Sequence, residues 1–455
     1  MGLNVPGFSL TPSSTKTTLP TNYLTGFDYL NQFLPDVAEK EFARYGNRSI
    51  ASFLRHVSSE LPCQSDLIKW TEEGRLHTKY TSCTHGTYSA GTEIITLASG
   101  TCNFRVNQVV MLSGSLGASA KAIITAVASG AFTVAYYTVV AASPFAVAET
   151  IDVFVYGSEF QKGSSGMVGS LQSDPQFFDV KPVIIKDHFE VSGSDMAQIG
   201  WVEVSDEGQT GYFWYLKSQH ETRKRFEDYL EMMMVEHVAA ETSSAASTFL
   251  GAGAAGSRGL FASIETNGNV WSGGSPSSMG DFDTVVARLD KQGAIAENTL
   301  FVDRQFALDI DDMLAAQNNG GGTASYGMFD NDKDMALNLG FAGFRRGSYD
   351  FYKSDWKYLN DASLRGGITG GAVNGVLVPA GTTSVYDEVM GQSVTRPFLH
   401  VRYRASEREN RKLKTMILGS AGGAQTSSLD AMQLEMLSER ALCTLGANNF
   451  TIFED

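Results

Sequence analysis

Five stretches of this chain gather side chains that can do chemistry. HTKYTSCTH places His77, Cys83 and His85 within nine residues, with Cys63 upstream. Zinc takes such nitrogen and sulfur donors in tetrahedral sets. The paired-cysteine knuckle of a structural zinc site is missing, so these read as ordinary side chains at a domain junction. DIDDM (Asp309, Asp311, Asp312) and FDNDKD (Asp330, Asp332, Asp334) cluster carboxylates that can hold a divalent cation or exchange protons. The second lacks the glycine and closing glutamate of a calcium loop, and the first reads as decoration on a helix. GAGAAG carries Gly251, Gly253 and Gly256 at dinucleotide-fingerprint spacing. That fingerprint needs a strand before it, to deliver a pyrophosphate to a helix N-terminus. Here a long helical pattern precedes it, and the segment reads as a loop.

The fifth stretch, PFLHVRYRASERENRKLKT, turns basic, with Arg402, Arg404, Arg408, Arg411, Lys412 and Lys414 interleaved with Glu407 and Glu409. Guanidinium forks suit carboxylate partners. These cations are therefore expected to bridge to carboxylates of a neighbouring subunit, and Arg402, Arg404, Arg408, Arg411 and Lys412 are the candidate intersubunit contacts. No lysine-bearing phosphate loop, G-x-S-x-G elbow or H-E-x-x-H helix is present. No catalytic, cofactor-binding or metal-binding residue is assigned, no cofactor is expected, and the chain reads as a non-enzyme.

The composition narrows the class. With 455 residues, 43% hydrophobic, the chain can build a core without crosslinks. Its net charge of -15 argues against gripping a phosphate backbone as the main task. It suits a protein that encloses or slides past nucleic acid without adhering to it, and an ordinary soluble enzyme equally well. Four widely spaced cysteines form no disulfide framework and point to a reducing compartment. Residues 1–20 show no basic start followed by an apolar run, so no secretory signal is expected. The weakly polar stretch IITAVASGAFTVAYYTVVAASPFAVA is interrupted by Gly130 and Pro144 and is not expected to span a membrane.

The elements that must position these residues can be read along the chain. Residues 1–22 are polar and aperiodic and read as an extended arm, followed by two short helices over 23–60. From Ile68 to about Val155 short β-branched runs alternate with glycine-bearing turns, enough to close a small barrel or curled sheet. GYFWYLKSQHETRKRFEDYLEMMMVEHVAAETSSAA predicts one long helix over 211–246, with Leu216, His220, Phe226, Leu230, Met233, Met234 and His237 at helical spacing. Alternating helices and strands between Asp283 and Pro379 predict a compact α/β unit. Met432, Leu434, Met436, Leu437, Ala441 and Leu442 predict a last helix over 431–442, with Asp430 as its cap and Gly446 at the reversal after it.

In its order of parts, and in the closing peptide SERALCTLGANNFTIFED, the chain resembles the major capsid proteins of tailed bacteriophages, whose fold is shared by encapsulin shells. The resemblance implies an α+β fold with an N-terminal arm, an extended β-rich projecting loop, a peripheral domain with a spine helix, and an α/β axial domain. Carried onto this sequence, it divides the chain into 1–60 (arm and short helices), 65–160 (extended loop with an inserted β-rich domain), 161–282 (peripheral domain with spine helix 211–246), 283–394 (axial domain) and 395–455 (return to the peripheral domain and docked C-terminal helix). The stretch Thr87–Val147 is longer than a bare hairpin and reads as an inserted domain. No long charged coil precedes the arm, so scaffolding is expected from a separate protein. The implied function is self-assembly into hexamers and pentamers forming an icosahedral shell around double-stranded DNA. A portal protein and decoration proteins are implied partners, and the implied location is the virion capsid, assembled in the host cytoplasm. An encapsulin-like cargo shell is the nearest alternative. A soluble α/β hydrolase and a tail or adhesin protein are more distant ones.

Overall fold

A computed structural model describes residues 53–54 and 59–455, apart from 75–76, 172–174, 199–203, 207–208, 212–213, 252–255, 319–342, 369, 388–391 and 424. The arm over 1–22 and the short helices over 23–60 lie outside the described residues, save for Phe53 and Leu54 and the last two positions. Residues 59 and 60 open a strand, β1 (Ser59–Cys63). The chain divides into two compact units. Of the described residues, the larger unit holds 53–186, 227–414 and 437–455, and the smaller holds 187–226 and 415–436.

The larger unit begins with a device that the sequence only half announces. Strand β2 (Ile68–Glu72) pairs with β9 (Gln176–Val180) as an antiparallel ribbon, in register from Ile68↔Val180 to Glu72↔Gln176. Everything between them belongs to the connection, and most of it is a closed barrel. Its strands are β3 (Lys79–His85), β4 (Thr92–Thr96), β5 (Gln108–Gly114), β6 (Ser119–Val127), β7 (Ala131–Tyr136) and β8 (Thr150–Ser158), closing in the order β3-β4-β7-β6-β5-β8. Side chains alternate along a strand, so every second residue faces the barrel axis. Cys83, Ile95, Val110, Leu112, Ala122, Ile124, Val134, Ile151 and Val153 all point inward and are wholly buried. Together with Phe104, Phe132 and Phe145 they fill the interior. Closure also removes the open edges that six short strands would otherwise present.

Strand β10 (Val183–Ser192) leads into the smaller unit, where Ser192 caps the single turn α1 (Gly193–Met196) by accepting from the Asp195 amide. A short hairpin of β11 (Val204–Asp206) and β12 (Gln209–Gly211) follows. Arg225 reaches Asp187 at 3.2 Å, and Gln433 donates to Glu190 at 3.0 Å. The helix expected over 211–246 runs instead over Trp214–Glu236 as α2, about 34 Å of rod. Phe226, Leu230 and Met234 are buried at four-residue spacing, whereas Leu216 is exposed. The helix ends at Glu236, and residues 237–241 run on without helix. Ser243 takes a left-handed φ of 72°, and the Ser244 side chain starts a separate helix, α3 (Ala245–Leu250), by accepting from the Ser247 amide.

In the larger unit, α4 (Leu260–Asn267) precedes a six-stranded mixed sheet that follows the alternation expected over 283–379. Its strands are β13 (Asn269–Trp271), β14 (Glu297–Val302), β15 (Gly343–Arg346), β16 (Tyr349–Asp355), β17 (Val373–Pro379) and a C-terminal strand, Thr451–Glu454. They lie in the order β13, Thr451–Glu454, β17, β14, β16, β15. Helices α5 (Met279–Gln292) and α6 (Arg304–Asn318) pack on it through Phe282, Val285, Leu289, Phe306 and Ile310, against Leu300, Val302, Phe351 and Leu377. A capping box between Ser278 and Asp281 fixes the start of α5, and Gly293 in the left-handed region ends it. After the turn α7 (Lys357–Asn360), the hairpin β18 (Thr382–Asp387)–β19 (Gln392–Pro397) leads to β20 (Leu399–Arg404).

The remaining strands are β21 (Lys414–Gly419), β22 (Ala431–Thr444) and β23 (Thr451–Glu454). The helix expected over 431–442 is therefore a strand, and the docked C-terminal helix is corrected to β22. Leu399–Tyr403 pair antiparallel with Arg440–Thr444, and β1 pairs parallel on the other side of β20. Residues 436–444 are all buried. A strand covered on both faces reads as a continuous apolar run, in which Met, Leu and Ala imitate a helix. Among the described residues no helix is long and apolar enough to cross a membrane.

Candidate functional site

The basic run is built on a strand and the turn after it. Arg402 and Arg404 sit two residues apart on β20 and so share a face. The chain then reverses tightly: the Ser406 amide donates to the Glu409 carbonyl at 2.8 Å, and the Arg411 amide to the Arg404 carbonyl at 2.9 Å. This turn brings Arg411 and Lys412 back beside β20. It leaves Arg408 at the exposed tip.

Carboxylates from β1, from β22 and from the bend between β1 and β2 meet these cations. Arg404 pairs with Asp66 and lies 3.6 Å from Glu439, while Arg411 Nε lies 3.0 Å from Glu439 Oε2. Lys412 pairs with Glu60, which is also 3.4 Å from Arg440. Arg440 is anchored further by donating to Ser438 Oγ at 2.9 Å and to the Lys412 carbonyl at 3.1 Å. Lys414 binds Glu409 at 2.7 Å, and this holds the Glu409 carboxyl below its usual range. The Asp66 carboxylate beside Arg404 raises the guanidinium's pKa further. Arg402 donates through Nη1 to the Pro62 carbonyl at 3.3 Å, while its buried Nε has no hydrogen-bond partner among the described residues. Arg408 has no ion-pair partner among the described residues. Burial pushes the neighbouring Cys63 thiol up, so it is not a poised thiolate.

Four of the five candidate contact residues are thus held by their own chain, and Arg408 stands at the exposed tip without an ion-pair partner among the described residues. Sequence reading missed their partners Glu60, Asp66, Glu439 and Arg440. One signal was available for the last two: SER interrupts the apolar run of β22, and a charged pair inside such a run needs partners of its own.

The other chemical motifs do not converge. Cys83 lies in the barrel core and His85 is bonded to Glu93 at 2.6 Å, while Cys63 ends β1. Asp309 accepts from Gln305 at 2.9 Å and Asp311 pairs with Lys353 at 2.5 Å. Gly251 closes α3, and Gly256 packs where a Cβ would lie 2.5 Å from His237 Nε2. Asp330, Asp332, Asp334 and Gly253 lie outside the described residues. Among the described residues no group of three or more His, Cys, Asp or Glu side chains is placed to hold a metal ion. A small, partly open cavity beside Trp70, Phe178 and Leu442 has room for about 20 Å³, enough for a single water.

No protein-family model matches this chain, and no curated protein matches it in sequence. Among solved structures, a chain from Mycobacterium phage Ogopogo is similar at 9% identity and a TM-score of 0.42, over 95% of this chain and 100% of that one. A chain from the capsid of a native GTA particle is similar at 9% identity and a TM-score of 0.38, over 93% and 95% of the two chains. A chain of the holo-SrpI encapsulin complex from Synechococcus elongatus is similar at 11% identity and a TM-score of 0.35, over 62% and 77%. The class of shell protein that the sequence resembles thus recurs among the solved structures similar to it. Likeness this loose carries no argument about function, which rests on the chain's own geometry.

Proposed function

We propose that this chain is a structural shell subunit, a capsid protein of the tailed-phage type, which assembles through copies of itself into hexamers and pentamers around double-stranded DNA. The observation that carries the reading is the barrel borne between β2 and β9. Its interior is filled by its own side chains, and its two ends join the rest of the chain through paired strands. Such a module adds contact surface and no chemistry, which is what a subunit needs when one surface must meet many neighbours. The cationic cluster supports the same reading. Cations outnumber carboxylates there on a chain of net charge -15, so acidic surface on another copy is a complementary partner. In this reading Arg408 makes the first such contact, and Arg402, Arg404, Arg411 and Lys412 hold the turn that presents it. A separate scaffolding protein, a portal and decoration proteins would complete the particle, placing the chain in the virion after assembly in the host cytoplasm.

Mass photometry of the purified protein, followed by negative-stain imaging, tests the proposal. Closed shells, or pentameric and hexameric rings, are the expected result. A stable monomer or small oligomer, unchanged by scaffold protein or a crowding agent, overturns it. Nuclease-resistant DNA inside the shells favours the phage reading, and an enclosed protein cargo favours an encapsulin-like shell.

A further inference from the structure

We infer that His85 is a protonation latch, which holds residues 143–149 against the barrel when charged and lets them go when neutral. Both ring nitrogens face acceptors. Nδ1 lies 2.6 Å from Glu93 Oε1, and Nε2 lies 2.8 Å from the Ala146 carbonyl oxygen. A neutral imidazole has one N–H and must turn a lone pair toward one of these oxygens, whereas the imidazolium donates to both. Glu93 accepts in addition from the Tyr136 hydroxyl and from Ser143 Oγ, at 3.0 Å to Oε2. The Glu93 side chain is wholly buried, with His85, Tyr136 and Ser143 all within hydrogen-bond reach of its carboxyl oxygens.

What the latch holds is well defined. Phe145 is buried in the barrel core, with its ring 6.0 Å from that of His85. The next peptide is gripped on both sides: the Ala146 amide donates to Glu149 Oε2 at 2.8 Å, and its carbonyl accepts from His85. Glu149 Oε1 in turn accepts from the Leu116 amide at 2.7 Å. Glu93 on β4 and Glu149 at the end of the segment are the charged groups facing the ring. Tyr136 on β7 lies beyond Glu93, with Tyr88 6.3 Å from it ring to ring. On β8, Asp152 is taken up by Lys79 at 2.9 Å and by the Ser82 amide.

Burial of the ring works against its charge, but the Ala146 carbonyl and Glu93 outweigh burial and raise His85 above its ordinary 6.5. The sign follows from linkage. The latch contributes its full stability below the open-state value near 6.5, loses it as pH rises through the raised closed-state value, and contributes nothing further above that.

Hydrogen–deuterium exchange of the full chain between about pH 5 and about pH 9, corrected for intrinsic exchange, reads the latch directly. Peptides covering 143–149 are expected to lose protection by up to about tenfold per pH unit within that window, while β5 stays protected throughout. His85→Gln should remove the pH dependence, and Glu93→Gln should move the loss of protection to lower pH. Protection of 143–149 that is flat across the range in the unaltered protein overturns the inference, as does an unchanged pH profile in either variant. If His85→Gln opens the barrel as a whole, seen as lost protection in β5, the unaltered protein and Glu93→Gln decide the matter.

Discussion

Arg440 and Glu60 meet at 3.4 Å, Nη1 to Oε1, although 380 residues of chain separate them. Their strands, β22 and β1, never pair; each flanks β20, and the side chains reach across it. The pair therefore ties the chain's first described strand to its longest one, and Lys412 joins the same carboxylate from the turn.

Replacing Arg440 by alanine removes that tie together with the bonds to Ser438 and the Lys412 carbonyl. Arg440 is itself buried, so the substitution is expected to cost about 2–4 kcal/mol of folding stability. Urea denaturation followed by circular dichroism measures this, and an unmoved midpoint speaks against it.

The basic turn is expected to separate assembly from folding. Arg408→Ala should leave stability unchanged within about 0.5 kcal/mol, since the side chain is exposed, yet lower particle yield. The Arg402→Ala/Arg404→Ala double variant should lower yield more than it lowers stability. Normal particle yield with normal thermal stability in both would remove the cluster from assembly.

Gly114 ends β5 at a point where no side chain fits. A Cβ there would lie 2.1 Å from Glu149 Oε1, the atom that accepts from the Leu116 amide. Gly114→Ala is expected to displace the carboxylate and destabilise the barrel by about 2–3 kcal/mol. Thermal melts of the variant test this, and a melting temperature equal to that of the unaltered protein would contradict it.

The barrel has its own closed sheet and core, so residues 77–160 are expected to fold alone. A cooperative thermal transition with β-type circular dichroism in that fragment is the expected observation. A broad, uncooperative melt would mean that the barrel depends on the rest of the chain.

Much of this architecture was legible where local pattern and tertiary setting agree. The runs QVVMLSG, KAIITAV and AFTVAY are short and β-branched between glycine-bearing turns, and they fall in β5, β6 and β7. The helices and strands between Asp283 and Pro379 were equally plain, because amphipathic helices and apolar strands differ in period, whereas the sheet's strands Asn269–Trp271 and Thr451–Glu454 were not read. AMQLEMLSERALCT misled because a strand buried on both faces loses its alternation, and its residues favour helix by intrinsic propensity. Within the candidate site, the clustering of cations was visible in one short stretch. Glu60, Asp66 and Glu439 were invisible as partners, because only the strand order β1-β20-β22 brings such distant segments together.

The ribbon that carries the barrel also makes the chain a natural host for foreign modules. Glu72 and Gln176 are register partners, so the chain leaves the ribbon and re-enters it about 5 Å apart. Any domain whose ends lie comparably close can be spliced between them without changing how the remainder folds. An engineer can use this junction to graft a domain whose ends lie comparably close.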